Sequence, residues 1–96
     1  MNRSKVLELI KKNKMELITK YGVLRIGLFG SYAREEQTEK SDIDIVIEMK
    51  NPDLFLLVAV KNYLQELLNS EVDIVRYRKR MNEGLKRRIN KDAIYI

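Results

Sequence analysis

Three aspartates stand at the openings of apolar segments, although aspartate is depleted in strands. Asp42 and Asp44 open the apolar segment 42–49, and Asp73 stands near the start of segment 72–77. In a strand, residues two apart share a face, with Cα atoms about 6–7 Å apart. If the two segments form parallel strands, Asp73 lies beside the pair. Three carboxylates so close raise one another's pKa unless divalent cations are bound, so we predict a metal site.

Gly30 and Ser31 precede the aspartates, at the end of the apolar run 24–29. A helix beginning there would offer unpaired N–H groups and the positive end of its dipole to phosphate. Glycine allows close backbone approach, and the Ser31 hydroxyl adds a donor. An ordinary capped turn is the plain alternative. For Ser31 to meet Asp42, the first strand must end where the second begins, so we expect these two strands to be antiparallel.

Two further residues are candidates for nucleotide binding. Arg34 lies one turn into the phosphate-facing helix, and we assign it to the triphosphate; a surface ion pair with a nearby glutamate is the alternative. Ser41, directly before Asp42, is the second candidate. The aspartates also have alternatives, because Asp42 could merely close the turn and Asp73 could pair with an arginine.

Absent residue types narrow the chemistry further. The 96 residues include no His and no Cys, which excludes a histidine general base, a disulfide framework and thiolate or imidazole metal sites. Carboxylates remain as the metal-binding groups, and they favour Mg²⁺ over Zn²⁺. No P-loop motif occurs, so any triphosphate site must be of another kind.

Hydrophobic spacing predicts the elements that position these residues, and 96 residues make one domain, 1–96. We predict helices over 5–20 with Ser4 as N-cap, over 31–37, from Asn51-Pro52 to about Leu68, and around Met81, Leu85 and Ile89. We predict strands over 24–29, 42–49 and 72–77, with an extended tail over 93–96. The order α-β-α-β-α-β-α indicates an α/β domain.

Seven consecutive apolar residues, 54–60, would cover every side of the third predicted helix. A domain of this size cannot bury all sides, so we expect Leu54, Phe55 or Val58 to be exposed and available for association. Cover by a neighbouring helix is the alternative.

Charge and hydropathy suggest partners and location. The net charge is +5, which fits an anionic partner such as a nucleotide, nucleic acid or acidic protein, or simply solubility. We interpret Arg76 or Arg78 in the basic last third as a contact for nucleotide or an acidic partner, against a merely solvated face. No secretory signal is recognisable and no apolar run reaches the roughly 18–20 residues of a membrane span, so we expect a cytoplasmic protein.

Gly30-Ser31, ten residues, Asp42-Ile43-Asp44 and a later Asp73 resemble the signature of the DNA polymerase β-like nucleotidyltransferase superfamily. Segments 27–34 and 41–47 resemble its smallest branch, the minimal nucleotidyltransferases; the resemblance runs over 22–77, and 88–94 also fits. It implies the small nucleotidyltransferase fold, here a three-stranded mixed sheet with flanking helices. It also implies two Mg²⁺ ions on the three aspartates and Ser31 contacting the triphosphate.

Members of this branch are often encoded with an HEPN-type RNase toxin and act as its antitoxin, some by transferring AMP to a toxin tyrosine. The resemblance therefore implies a metal-dependent protein adenylyltransferase with ATP as substrate and an HEPN-type toxin as partner. Two alternatives stay open. One is a nucleotidyltransferase acting on RNA or a small molecule, and the other is a binding-only antitoxin that masks its partner.

Overall fold

In the computed structural model, which describes all 96 residues, one sheet is flanked by helices on both faces. The elements in chain order are α1 (Arg3–Lys12), α2 (Lys14–Tyr21), β1 (Val23–Phe29), α3 (Gly30–Ala33), β2 (Ile43–Met49), α4 (Leu54–Leu68), β3 (Val72–Arg76), α5 (Glu83–Asp92) and β4 (Ile94–Tyr95). None of these helices is long and apolar enough to cross a membrane.

The sheet has four strands in the order β3-β2-β1-β4, not the three predicted. The predicted extended tail supplies the fourth strand, where Tyr95 pairs with Gly27 of β1. Two residues are too few for an alternating pattern to identify. β1 and β2 are antiparallel and β2 and β3 are parallel, as the placement of the aspartates required. The prediction of a mixed sheet is therefore confirmed.

One side of the sheet, which we call the three-helix face, carries most of the core. α1, α2 and α4 cover it, and successive inward residues of β2 lie there because a strand alternates its side chains. Its fully buried members include Val6, Ile10, Leu17, Ile26, Leu28, Ile43, Ile45, Ile47, Val60, Leu64 and Leu68. Sixteen buried residues form this single cluster, which makes the face continuous from β1 to α4.

The other side, the α5 face, is much more thinly covered. Its buried cluster has three members, Phe29 of β1, Val46 of β2 and Ile89 of α5. Leu85 and Val75 pack against this cluster while remaining partly exposed. α5 is thus the main cover of this side of the sheet.

The predicted first helix over 5–20 is in fact two helices that break at Asn13. The Asn13 amide donates a hydrogen bond to the Leu9 carbonyl at 2.8 Å, and its oxygen accepts one from the Tyr63 hydroxyl at 3.2 Å. A side chain that bonds to the backbone in this way competes with continued helix. The N-cap of α1 is Asn2 rather than Ser4, because the Asn2 side chain accepts from the Lys5 N–H.

The start of α4 also differs from the prediction. Asp53, and not Asn51, is the N-cap, since its carboxylate accepts from the N–H groups of Phe55 and Leu56. Pro52 therefore precedes the cap instead of occupying the first turn. α3 is a single turn that ends at Ala33, shorter than the helix predicted over 31–37.

The predicted exposure at the start of α4 is confirmed. Leu54, Phe55 and Val58 are 71%, 84% and 49% exposed, and we call these three residues the α4 patch. No neighbouring helix covers them, because α4 turns the later residues Val60, Leu64 and Leu68 towards the sheet.

Candidate active site

A cavity of about 380 Å³ lies on the α5 face, between the sheet and the helices α3 and α5. Its lining consists of Phe29, Asp44, Asp73 and Val75 from the strands, Gly30, Ser31 and Arg34 around α3, and Leu85, Arg88 and Asp92 from α5. Five of the seven residues predicted for the site are among them: Gly30, Ser31, Arg34, Asp44 and Asp73. Ser41 and Asp42 are not.

Asp44 and Asp73 lie side by side at the centre of this lining. They are register partners in the parallel strands β2 and β3, so their side chains leave the same face of the sheet. Neither carboxylate makes an ion pair or a hydrogen bond within the chain. Their closeness is a direct result of a parallel pairing in which both aspartates sit in the second position of the shared register.

The pKa of Asp44 reflects the electrostatics of the site. Burial is the main cause that raises the pKa of its half-buried carboxyl, and the charges of Asp73 and Asp42 raise it further. Arg88 and Arg34 act in the opposite direction. Asp44 therefore carries a negative charge that the protein alone leaves poorly compensated, as expected of a group that meets a cation or a cationic complex.

Gly30 brings the backbone against Asp44. Its φ is +75°, in the left-handed region that favours glycine, and a Cβ added there would collide with the Asp44 carboxylate. Ser31 follows at the start of α3, where the first N–H groups have no partner within a helix. α3 has only four residues, so the free N–H groups matter more here than the helix dipole we invoked from the sequence.

Arg34 lines the cavity but is already paired. Its Nη1 donates to Asp92 Oδ2 at 2.6 Å and its Nε donates to Glu36 Oε2 at 3.1 Å. The hydrogen bond to Asp92, and then that to Glu36, raises the pKa of Arg34 above its already high ordinary value. The ion pair with a nearby glutamate is thus present, and the contact of Arg34 with triphosphate stays a prediction.

Ser41 and Asp42 lie in the turn before β2. The Ser41 hydroxyl accepts a hydrogen bond from the Thr38 N–H at 2.9 Å, and the Ser41 N–H donates to the Thr38 carbonyl. The side chain is therefore used to close the turn, which explains why it does not reach the cavity. Asp42 is exposed and ends this turn, so it acts on the site through its charge near Asp44.

Sequence reasoning missed the contribution of α5. Leu85, Arg88 and Asp92 are spaced by three and four residues, so they share one face of the helix and line the cavity together. That spacing is visible in the sequence, but from the sequence we singled out only Arg76 and Arg78 in the basic last third of the chain. Arg76 and Arg78, which we had favoured, line a different cavity beside Pro52 and Leu54.

The residues present fit Mg²⁺ only with help from a ligand. No group of three or more acidic side chains is arranged to hold a metal ion unaided. Asp44 and Asp73 nevertheless offer unpaired carboxylate oxygens side by side, which are the ligands that Mg²⁺ prefers. Because Mg²⁺ usually takes its remaining ligands from water and substrate phosphates, this donor set suits an ion that arrives with a nucleotide.

Comparison with protein families gives a match along most of the chain. The family described as nucleotidyltransferase domain matches residues 10–96. A Methanocaldococcus jannaschii protein, provisionally named a protein adenylyltransferase, is 46% identical over 94 residues, covering 97% of this chain and 96% of the relative. The protein adenylyltransferase MntA of Thermococcus cleftensis is 33% identical over 89 residues, covering 92% of this chain and 89% of its own.

Solved structures share the fold. One provisionally described as a minimal nucleotidyltransferase has a TM-score of 0.79 at 29% identity and covers 98% of this chain and 95% of its own. A toxin–antitoxin structure with AMP-PNP has a TM-score of 0.70 at 27% identity, and the match covers 99% of this chain and 72% of the solved one. A third contains a tri-AMPylated Shewanella oneidensis HEPN toxin in complex with an MNT antitoxin, with a TM-score of 0.61 at 25% identity, covering 98% and 67%.

Proposed function

Because this chain belongs to the nucleotidyltransferase domain family, as one of its minimal members, we propose that it transfers AMP from ATP to a partner protein. The acceptor we propose is a tyrosine hydroxyl of an HEPN-type RNase toxin, whose antitoxin this chain would be. The observation that carries the proposal is the position of Asp44 beside Asp73 on neighbouring strands. These two carboxylates have no ion-pair partner and line the same cavity as Gly30 and Ser31.

The relatives support both halves of the proposal. A chain that is 33% identical is a protein adenylyltransferase, and a structurally similar antitoxin was solved together with an ATP analogue. A further similar chain comes from a complex whose toxin carries AMP. These names describe the relatives, and the cavity residues are what extend the activity to this chain.

The cavity residues divide the work of holding ATP. Gly30 allows the backbone to approach the polyphosphate, and the N–H groups at the start of α3 together with the Ser31 hydroxyl donate to phosphate oxygens. Phe29, Val75 and Leu85 supply an apolar part of the lining. The volume of about 380 Å³ lies in the range of small-molecule sites.

In the reaction, the phenol oxygen of the acceptor tyrosine attacks the α-phosphorus of ATP and forms a new P–O bond. The bond between the α-phosphorus and the bridging oxygen breaks, and pyrophosphate leaves with that electron pair. In this proposal Asp73, the exposed member of the two neighbouring carboxylates, accepts the phenol proton, which an ordinary tyrosine holds with a pKa near 10.

We propose Asp42, Asp44 and Asp73 as the residues that would hold two Mg²⁺ ions. Such ions, when bound, neutralise phosphate charge and favour the deprotonated acceptor hydroxyl. Asp44, half-buried and unpaired, is then the carboxylate whose charge is best matched to a bound cation. Asp42 lies two residues earlier, outside the cavity lining, and contributes its charge from the exposed turn.

The test is to incubate the chain with a purified HEPN-type toxin, Mg²⁺ and ATP labelled on the α-phosphate. Intact-mass measurement of the toxin should show one or more added AMP groups, and peptide mapping should place them on tyrosine. Asp44→Asn should abolish the addition. Glu71→Gln is the matched control, because it removes one negative charge close to β3 from an exposed residue outside the cavity lining.

Other outcomes separate the alternatives. A toxin that stays unmodified while an Asp42→Asn/Asp44→Asn double variant still suppresses its RNase activity would establish masking. Label that enters RNA rather than the toxin would establish an RNA acceptor. Either result replaces the proposed acceptor.

A further inference from the structure

The cavity contains two arginines in opposite electrostatic states, and the first is already neutralised. Arg34 is bonded to both Asp92 and Glu36, so two carboxylates share one guanidinium. The Asp92 side chain is only 8% exposed, so moving Arg34 away would leave this buried carboxylate without a partner. Arg34 therefore shares its charge between two carboxylates, and a contact with phosphate would compete with its bond to Asp92.

Arg88 has no such partner. It makes no ion pair and no hydrogen bond with any side chain of the protein, although it lines the same cavity as Asp44 and Asp73. Its positive charge therefore stands unpaired in the lining that it shares with the two aspartates.

The helix that carries Arg88 is held in place by the other arginine. Asp92 lies four residues after Arg88, on the same face of α5, and its bond to Arg34 joins the last turn of α5 to the C-cap residue that follows α3. Ile89, fully buried between them, anchors the same turn to the sheet. α5 therefore presents Arg88 to the cavity from a fixed position.

We infer that Arg88 is the arginine that binds the phosphates of the nucleotide, while the Arg34–Asp92 ion pair positions α5 for that contact. This inference rests on the proposed function, because the ligand is the nucleoside triphosphate of that reaction. A guanidinium suits the role, since its planar fork donates two parallel hydrogen bonds to phosphate oxygens. Arg34 is then a positioning residue that acts through Arg88.

Equilibrium binding of ATP and of adenosine, both with Mg²⁺, tests the assignment. Arg88→Gln should weaken ATP binding by about tenfold or more, the scale of a hydrogen bond to a charged group, and leave adenosine binding unchanged. Arg88→Lys keeps the charge but loses the fork, so its ATP affinity should lie between the two. Arg87→Gln is the matched control, because it removes the same charge from the preceding residue, which is exposed and lies outside the cavity lining. It should change ATP affinity by less than about twofold.

A double-mutant cycle separates positioning from direct contact. If Arg34 acts through Arg88, then Arg34→Gln should weaken ATP binding in the wild-type background and have no further effect in the Arg88→Gln background. Losses that add would make Arg34 a phosphate ligand in its own right and overturn its positioning role. Thermal unfolding of each variant ensures that affinities are compared between folded proteins.

The two proposals fail in different ways. If Arg88→Gln binds ATP as tightly as the wild type, or loses adenosine as strongly as ATP, the phosphate assignment is overturned even if the toxin is still modified. If the wild type binds ATP with the Arg88 dependence described and modifies no toxin, the acceptor is wrong and the Arg88 assignment stands. A wild-type chain that binds no ATP overturns both.

Discussion

The two faces of the sheet differ in how much they bury, although residues of the same strands alternate between them. In β2, Ile43, Ile45 and Ile47 enter the sixteen-residue core of the three-helix face, whereas Asp44 and Val46 point to the α5 face. The α5 face has three buried residues and a cavity with unpaired charges. Stability and chemistry are thus divided between neighbouring residues, so the site can tolerate repulsion that a core could not.

The largest difference between the faces should appear when a buried leucine is shortened. Leu64 is fully buried on the three-helix face. The substitution Leu64→Ala should lower the unfolding free energy of the protein by about 2–5 kcal/mol, because it leaves a cavity. Leu85→Ala on α5 should lose clearly less, because Leu85 is partly exposed. Urea unfolding measures both. Equal losses would contradict the division of stability between the faces.

A smaller effect should come from an added methyl group at the edge of the site. Gly30→Ala should destabilise the protein by about 1–3 kcal/mol, since it combines a left-handed backbone with a collision against Asp44. Gly22→Ala has a similar φ of +70° and open space around the new Cβ, so it isolates the backbone component. The difference between their unfolding free energies measures the collision. If the two variants lost the same stability, Asp44 would have moved away at no cost.

Removing the charge of Asp44 should stabilise the protein slightly. Its pKa is raised in the folded state by burial and by Asp73 and Asp42, so its favourable contribution is present at low pH and is lost as pH rises through the folded pKa. At neutral pH, the Asp44→Asn variant should therefore unfold at a higher urea concentration than the wild type. The gain in unfolding free energy should be less than about 1 kcal/mol, because the carboxyl is partly solvated. The gain should shrink towards acidic pH. A variant less stable than wild type at pH 7 would show that the carboxylate has a structural partner.

The smallest effect should be found outside both faces, in the α4 patch. Phe55 is 84% exposed, so Phe55→Ser should change the unfolding free energy by less than about 0.5 kcal/mol. Thermal unfolding measures the change, with Leu64→Ala as the buried reference. Any loss of affinity for the proposed toxin partner in the same variant then reports on association rather than on folding. A large loss of stability would mean that Phe55 packs against the protein.

Regular patterns explain what could be predicted. Alternation and apolar runs identified β1, β2 and β3, and the need to gather Ser31, Asp42 and Asp73 required one antiparallel and one parallel pairing. The family expected from those residues is confirmed by the match over residues 10–96. The glycine before Ser31 proved to be more specific than expected, because its missing side chain makes room for Asp44.

Features that depend on distant residues could not be predicted in this way. Arg34 and Asp92 are 58 residues apart, and no local sequence pattern predicts an ion pair between residues so distant in the chain. The break at Asn13 depends partly on the hydroxyl of Tyr63, which lies on α4. β4 is defined by its pairing with β1 and by the Tyr95 ring packed over Gly27, so its two residues have no strand signature of their own.

The thin attachment of α5 also bears on how the molecule opens. The sixteen buried residues of the three-helix face form one continuous core, whereas Leu85, Arg88 and Asp92 lie on the helix that covers the other face with only three buried residues. Because local opening is easiest where few apolar side chains are buried, we expect α5 to separate from the sheet before the core unfolds. Such an opening would remove one wall of the cavity while the rest of the chain stays folded, so the site would be lost before the fold.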